Sequence, residues 1–439
     1  MASALESLRG RIEDRSLVVG VIGLGYVGLP LGAAFAESGV KLLGFDVDQS
    51  KVDAIRRGES YIGAVSSQRL GRLVEAGSLD ATTDFARLRD ADAVLLCVPT
   101  PITEHFEPDL SYVRRAAELV AETLRPGQLV VLESTTYPGT SDELLLPILE
   151  RGGLALDRDF LLAYSPERED PGNQYYSTTQ IPKVVGGVSA HSLEAALALY
   201  GLVVPRTVAV SSARVAEATK LTENIFRAVN IALVNELKMI YDDLGIDVRE
   251  VLDAAATKPF GFMRFDPGPG WGGHCIPVDP FYLSWKAREV RRNARFVELA
   301  GTVNIEMPRY VVGKLQHALN EGRKSVRGSR ILLLGLAYKK NVSDPRESPA
   351  FEILDQLLGL GAEVSYHDPF VPVAPAMRSW PDLPPMRSEP LTAETVAAAD
   401  AVLLVTDHSN VDYELVGRHA KLIVDTRGVF GALQSVVRA

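Results

Sequence analysis

Apolar residues in this chain fall into short unbroken runs separated by glycines, prolines and charges, the pattern of strands buried on both faces of a parallel sheet. The run 17–22 is one such strand, and Gly23-Leu-Gly25-Tyr-Val-Gly28 follows it at once, with Gly32 and Ala33 opening a helix. A second run, Lys41-Leu-Leu-Gly-Phe-Asp46, ends in an acid 18 residues after Gly28. The runs 93–100 and 129–135 continue the series, with hydroxyls at their C-terminal ends. Residues 17–36 carry no charge, over about the length of a bilayer span. The glycine break at 23–25 and Pro30 favour a buried strand followed by a packed helix instead.

The later part of the chain repeats the earlier part in outline. Arg330-Ile-Leu-Leu-Leu-Gly-Leu-Ala337 echoes the first strand and Val364-Ser-Tyr-His-Asp368 the second. Ala399-Asp-Ala-Val-Leu-Leu-Val-Thr406 restates Ala91-Asp-Ala-Val-Leu-Leu-Cys-Val98, and Leu422-Ile-Val-Asp-Thr426 matches the strand before Ser134. Between the copies, Ser211 or Ser212 is placed to cap a helix running to Gly245. Its apolar stripe is Val215, Ala218, Leu221, Ile225, Val229, Ala232, Leu237 and Ile240. At ~1.5 Å per residue it reaches roughly 50 Å, enough to bridge domains, and its stripe offers a face to a second copy. The expected fold is α/β, two doubly wound Rossmann-like domains joined by a long central helix. Residues 1–210 form the first domain, 211–315 a central helical and dimerisation domain carrying a cysteine loop, and 316–439 the second doubly wound domain.

Composition narrows the partners. With 46% hydrophobic and 23% charged residues, the 439-residue chain can build a sizeable core. A formal net charge of -10 argues against an extended nucleic-acid or anionic-membrane surface. No secretory n-region and cleavage site precedes the first strand, and two widely separated cysteines make no disulfide framework, so a cytoplasmic setting is expected. No metal site is expected.

Strand, glycines, helix, strand and acid in this order make a dinucleotide site. Gly23 gives the tight turn, Gly25 lets a pyrophosphate touch backbone at a helix N-terminus, and Gly28 lets helix pack on strand. Asp46 accepts the adenosine ribose hydroxyls and repels a 2′-phosphate, which favours NAD over NADP. Thr100 and Thr135, at strand ends, are candidates for the nicotinamide side, while Cys97 reads as a small buried hydrophobe. The second copy replaces the fingerprint by Lys339-Lys340 and Asp344-Pro-Arg346, cations suited to a diphosphate. Gly270-Trp-Gly-Gly-His-Cys-Ile-Pro-Val-Asp279 sets Cys275 among glycines four residues before a carboxylate, the seat of a nucleophile or of a small buried hydrophobe. Lys220 and Asn224 share a face of the long helix.

Together these motifs resemble the UDP-glucose/GDP-mannose 6-dehydrogenase family over nearly the whole chain. The resemblance rests on Gly23–Gly28, Ser134-Thr135 with Gly139-Thr140, Ser165-Pro-Glu167, Lys220 with Asn224, residues 272–279, and Lys339 with Arg346. The run 268–286 is most similar to the UDP-N-acetylglucosamine branch, with UDP-N-acetylmannosamine enzymes as near relatives. The UDP-glucose branch usually has Pro-Lys-Asp where this chain has Pro277-Val-Asp279, and a Pro-Glu-Phe run where it has Pro166-Glu-Arg168. The sugar pocket is expected to differ accordingly.

The resemblance implies four-electron oxidation of a UDP-sugar's C6 alcohol to a carboxylate with two NAD, through a thiohemiacetal and a thioester on Cys275. It implies that Lys220 stabilises an oxyanion, that Asn224 fixes that oxygen or a water, and that Asp279 handles protons. Glu167 activates the hydrolytic water and Thr135 positions it. The cofactor is expected on Gly23, Gly25, Tyr26, Val27, Gly28, Asp46, Lys51, Pro99, Thr100, Thr135 and Arg346. The substrate is expected on Glu167, Arg168, Lys220, Asn224, Lys258, Arg264, Gly270, Gly272, Gly273 and Lys339. A buried ion pair of Lys220 with Asp279 or Glu167 is the structural alternative. A homodimer is expected, with no nucleic acid or membrane partner. UDP-N-acetylmannosamine or UDP-glucose is the alternative substrate, and a noncatalytic NAD-binding redox sensor the alternative of another class.

Overall fold

The computed structural model describes residues 4–168, 180–273, 276–377, 379–431 and 433–439. The chain divides into two compact units. The first runs from the N-terminus to Glu223 and includes Phe281–Arg292; the second comprises Asn224–Pro280 and Asn293–Ala439. Each is an α/β unit on its own sheet, in line with the doubly wound fold class expected from the runs.

The first sheet contains β1 (Val18–Ile22), β2 (Lys41–Phe45), β3 (Leu79–Thr82), β4 (Ala93–Leu96), β5 (Gln128–Leu132), β6 (Phe160–Tyr164), β7 (Lys183–Gly187) and β8 (Thr207–Val210). Their order is β3-β2-β1-β4-β5-β6-β7-β8. All neighbours pair parallel except β6 and β7. Alternate residues serve opposite faces, as the pleat requires. Val19, Val21, Leu95 and Val131 join one apolar core; Ile22, Val94, Leu96 and Val130 join the other.

The second sheet contains β9 (Arg330–Leu334), β10 (Glu363–His367), β11 (Ala401–Leu404), β12 (Ile423–Asp425) and β13 (Val436–Arg438) in the order β10-β9-β11-β12-β13, all parallel. In both sheets strand order reverses beside the first strand of the copy, at β1/β4 and at β9/β11. That is where ligands of open α/β sheets sit.

The long helix spans Ala213–Asp243, about 46 Å at the standard rise. Ser212 Oγ accepts from Val215 N, and Gly245 at φ 71° ends the element with its N–H on Asp242 O. Residues up to Glu223 belong to the first unit and those from Asn224 to the second. The expected stripe is only partly internal: Leu221 and Ala232 are buried, but Val215 and Ile240 are exposed. Glu217, Lys220, Asn224, Asn235 and Lys238 are buried instead, so this helix hides polar groups as well as apolar ones. A further long helix, Arg295–Glu321, carries Pro308 in its interior. No helix among the described residues is long and apolar enough to cross a membrane.

Candidate active site

The glycine loop after β1 is dictated by close approach. Gly23 has φ 92°, and a Cβ there would lie 2.5 Å from Cys97 O. A Cβ on Gly28 would lie 1.9 Å from Gly23 O, and one on Gly32 2.6 Å from Leu42 of β2. Gly25 differs: nothing lies within 4 Å of its missing Cβ, so the space beside it is open to a ligand. The helix Gly28–Glu37 begins at Val27 with no side-chain cap and no acidic residue in its first turn, as an anion-binding N-terminus requires. Asp46, buried at the end of β2, accepts from Leu24 N and Asp48 N (both 3.0 Å) and from Lys51 Nζ (3.1 Å). A carboxylate has about four acceptor positions, so one remains for a ribose hydroxyl. Lys51 offsets the charge of Asp46, so preference for a ribose without 2′-phosphate rests on that acceptor position more than on repulsion. These residues fit NAD. Tyr26 is exposed, and Pro99 and Thr100 stand just beyond β4.

The loop after β5 is fastened from two sides. Ser134 Oγ donates to Val98 O (2.7 Å), tying it to the loop after β4. Buried Glu217 of the long helix accepts from Gly139 N (2.6 Å), Ser141 N (2.9 Å) and Ser141 Oγ (2.8 Å). Thr136 is wholly buried while Thr135 is partly exposed, which leaves Thr135 as the available hydroxyl. Residues Thr140–Leu145 are wound as a π-helix, a local widening often found at functional positions.

Three strand ends of the same sheet bring together a buried charge cluster that the runs did not reveal. Lys183 Nζ lies 2.7 Å from Glu133 Oε2 and 3.5 Å from Glu167 Oε2, and Tyr200 OH donates to Glu133 Oε1. Burial, with the Glu133 charge, pushes the Cys97 thiol up, in keeping with an inert, packed cysteine. Arg168 pairs with Glu223 at 2.7 Å and donates to Pro182 O at 2.6 Å. Lys220 is buried, yet its ammonium makes no hydrogen bond or ion pair with any described residue. Within this unit Glu167 meets Lys183 rather than Lys220.

In the second unit Asn224 Nδ2 donates to Asp279 Oδ2 at 2.5 Å, and both residues are buried. Asp279 opens the helix Asp279–Ala287. His274 and Cys275 lie outside the described residues, as do residues 169–179 that follow Pro166-Glu-Arg168. The loop before the cysteine is held by a buried amide chain: Gly268 N donates to Asn235 Oδ1 (2.9 Å), and Asn235 Nδ2 to Asn304 Oδ1 (2.8 Å). Its glycines make room for protein. A Cβ on Gly272 would meet Tyr338 at 2.9 Å and Pro349 at 3.2 Å, and one on Gly273 the Tyr338 ring at 3.0 Å. Gly270, at φ 126°, is required for its backbone conformation.

The remaining substrate candidates are spread over this unit. Lys339 is partly buried beyond β9. Arg346 grips Asp344 through Nε (2.9 Å) and Nη2 (2.6 Å). Lys258 lies over the Phe260 ring at 5.1 Å and is exposed; Arg264, also exposed, pairs with Asp253 and Asp266. Arg427, which the sequence reading missed, donates from Nε to Val405 O (2.7 Å), and its Nη1 lies 2.7 Å from a Cβ built on Gly268. Its guanidinium pairs with no carboxylate of a described residue, which makes it a cation available to an anion.

The second copy keeps one glycine and changes the acid. A Cβ on Gly335, at φ 86°, would meet Thr406 O at 2.4 Å, the counterpart of Gly23 against Cys97. Asp368 stands where Asp46 does, but it accepts from Leu336 N, Ala337 N, His408 Nε2, Phe370 N and Val371 N. Asn341 N donates to His408 Nδ1, so the other ring nitrogen carries the proton toward Asp368. Although burial opposes it, these donors hold the Asp368 carboxyl below its ordinary range. Ser348 caps the following helix, Pro349–Gly359. The ribose acceptor and the bare helix end are both missing, so this sheet is not built to take a dinucleotide as the first one is.

A nucleotide-sugar dehydrogenase is the class that this pairing of sheets and site defines. Models of the UDP-glucose/GDP-mannose dehydrogenase family match its NAD binding domain at residues 17–204, its central domain at 214–306 and its UDP binding domain at 332–432. The chain is 37% identical over 397 residues to the UDP-N-acetyl-D-glucosamine 6-dehydrogenase of Pseudomonas aeruginosa, covering 90% of this chain and 91% of the relative. It is 36% identical to the NDP-N-acetyl-D-galactosaminuronic acid dehydrogenase of Ralstonia solanacearum, covering 96% and 98%. The solved UDP-D-ManNAc dehydrogenase of Pyrococcus horikoshii superposes with a TM-score of 0.86 at 32% identity, covering 96% of this chain and 98% of that one. The chain belongs to the UDP-glucose/GDP-mannose dehydrogenase family and is an NAD-dependent nucleotide-sugar 6-dehydrogenase.

Two predictions follow from this geometry. Gly23→Ala combines a strained φ with a backbone clash and is expected to cost about 2–3 kcal/mol. Gly25→Ala should leave the unfolding midpoint nearly unchanged yet weaken NAD about tenfold, the equivalent of about 1.4 kcal/mol. Thermal scans with a fluorescence titration separate the two, and equal effects on both readouts would refute the division of labour. Burial pushes the Glu217 carboxyl up to about 7 from an ordinary 4.5, against the hydrogen bonds from Gly139 and Ser141. Between those values the folded protein keeps a proton that the unfolded chain has lost. Stability from this group therefore falls as pH rises through the window, by on the order of 3 kcal/mol. Glu217→Gln is expected to lose less midpoint than wild type between pH 5 and pH 8; parallel losses would contradict the assignment.

Proposed function

We propose that the chain oxidises the C6 hydroxymethyl group of a UDP-N-acetylhexosamine, UDP-N-acetyl-D-glucosamine first, to the carboxylate. The observation that carries the sugar assignment is that the relatives described above are all named for N-acetylated sugars, that of Pseudomonas aeruginosa for this one. The buried ammonium of Lys220, which pairs with no described residue, supports the chemistry.

NAD+, held by Gly23, Gly25, Tyr26, Val27, Gly28, Asp46, Lys51, Pro99, Thr100, Thr135 and Arg346, supplies the hydride acceptor for each of two oxidations. Lys220 stabilises the oxygen on C6 as it gains negative charge, and a buried ammonium that pairs with no described carboxylate is suited to that. Asp279 takes the alcohol proton while Asn224, bonded to it, fixes the oxygen or an adjacent water. The Cys275 thiolate adds to the aldehyde carbon, forming a C–S bond as the carbonyl electrons move to oxygen. The adduct stays at the aldehyde level but is now a tetrahedral hydride donor, and loss of one hydride and the hydroxyl proton gives a thioester. Water, activated by Glu167 and positioned by Thr135, attacks the carbonyl carbon. The C–S bond breaks and the thiolate returns. Overall, one alcohol, two NAD+ and one water give one carboxylate, two NADH and three protons.

Arg168, Lys258, Arg264, Lys339 and the backbone of Gly270, Gly272 and Gly273 are the proposed substrate contacts, to which Arg427 adds a cation for the diphosphate. The division into residues 1–210, 211–315 and 316–439 follows these roles. The chain is proposed to work in the cytoplasm, where two widely spaced cysteines stay reduced.

Incubation with individual UDP-sugars, counting NADH per uronate, is expected to give two NADH, no free aldehyde and the highest kcat/KM with UDP-N-acetyl-D-glucosamine. A higher value with UDP-N-acetylmannosamine or UDP-glucose would transfer the assignment to that sugar, and no NADH with any would favour the redox sensor. Cys275→Ala is expected to bind NAD but form no uronate; full turnover by it would end the thioester route. Phe226, Leu233 and Ile240 recur every seven residues on the long helix and are each nearly half exposed, so they are proposed to face a second copy. Sedimentation is expected to show twice the 47.6 kDa chain mass, and a monomer at micromolar concentration would remove that proposal.

A further inference from the structure

The cluster of Glu133, Lys183, Glu167 and Tyr200 has more parts than a structural ion pair needs. Glu133, just after β5, is wholly buried, and Lys183, the first residue of β7, is nearly so. These two charges at 2.7 Å already satisfy one another, and the Tyr200 hydroxyl donates to the second oxygen of Glu133. Lys183 nevertheless keeps a further carboxylate, Glu167 beyond β6, at 3.5 Å, and that carboxylate retains some exposure. The Lys183 ammonium thus stands between an inner anion that anchors it and an outer one that reaches toward solvent. Burial opposes its charge, but Glu133 and Glu167 together keep it protonated.

The other groups facing the cluster leave this arrangement intact. The Tyr200 ring lies 5.3 Å from Lys183 Nζ, and burial, with the Glu133 charge, keeps its phenol protonated. Cys97 is neutral for the same reasons. Arg168 N donates to Glu167 Oε1 at 2.6 Å, while its guanidinium is taken up by Glu223 and Pro182. The two Glu167 oxygens are therefore met by different partners, a backbone amide on Oε1 and the buried ammonium on Oε2, which fixes the plane of the carboxylate.

We propose that Lys183 is a positioning residue for thioester hydrolysis, holding the Glu167 carboxylate ready to take the proton of the attacking water while Glu133 and Tyr200 hold Lys183. This rests on the reading of Glu167 as the hydrolytic base. Water oxygen bonds to the carbonyl carbon as its proton passes to Glu167, and the C–S bond then breaks to return the Cys275 thiolate and free the sugar acid. No oxidant enters this step. An ammonium beside a carboxylate favours its ionised form, so loss of Lys183 makes Glu167 competent only at higher pH.

The test follows decay of the acyl-enzyme by quenched-flow mass spectrometry across pH, beside the pre-steady-state rate of NADH formation. Lys183→Met with Glu133→Gln removes the inner pair together and so avoids a stranded buried charge. Tyr200→Phe is a milder variant that frees Glu133 to draw Lys183 inward, and Lys183→Arg keeps the cation. For the first two, NADH formation is expected to stay within about twofold while acyl-enzyme decay slows, about tenfold in the double variant. The acid limb of decay should move up by about one pH unit in the double variant and by less in Tyr200→Phe. Lys183→Arg should restore the limb. Equal slowing of NADH formation and decay with an unmoved limb, in both the double variant and Tyr200→Phe, would overturn the proposal. Glu167→Gln separates the two readings. If it hydrolyses the acyl-enzyme at the wild-type rate, the reading of Glu167 falls and this inference with it. If it stalls while the Lys183 variants keep wild-type decay and limb, this inference alone falls.

Discussion

Both units are organised around the same forbidden contact: a first strand that ends in a glycine pressed against a carbonyl of the neighbouring strand. Gly23 meets Cys97 O and Gly335 meets Thr406 O, each at a φ that side chains rarely adopt. The contact lets the chain turn sharply at the point where strand order reverses. In the first sheet, with Gly28 against Gly23, it brings the next helix down over the crevice. The cofactor loop and the loops after β4 and β5 take their places from that constraint, and the loop carrying Lys339 takes its place from the counterpart in the second sheet.

From a shared plan the two copies diverge through the occupancy of one carboxylate. Asp46 leaves an acceptor position open, and its charge is offset by Lys51. Asp368 is saturated by four backbone amides and a histidine. A saturated acid stabilises its own loop and offers nothing to a ribose. Lys339 and Arg427 are in keeping with a partner whose charge lies on a diphosphate.

Much of this was legible because parallel strands are apolar on both faces and leave long runs. The strands at 18–22, 41–45, 93–96, 128–132, 330–334, 401–404 and 423–425 were visible in that way, and 363–367 through its place in the repeat. β3 (Leu-Asp-Ala-Thr), the half-exposed β8 and the three-residue β13 were not, since short or edge strands have no two-sided burial to write into the sequence. The helix Arg295–Glu321 was hidden by Gly301 and Pro308, which read as breakers but are accommodated by packing. Of the candidate site, the glycines, Asp46, Lys220, Asn224 and Asp279 were singled out by spacing. Glu133 and Lys183 were overlooked because each merely flanks an apolar run; a charge directly abutting a buried strand was the available signal. Asn235, Asn304 and Arg427 had no local signal, since their partners are distant in sequence.

Tyr338 fills the volume above Gly272 and Gly273, and Pro349 closes one side of it. The breadth of this loop is therefore a joint property of two distant segments, and neither can change alone. Drift at either glycine is blocked while the ring is in place, and shrinking the ring alone opens a void beneath the backbone. New sugar preferences arising here would have to pass through paired replacements, so divergence of this family at the loop should run along correlated positions.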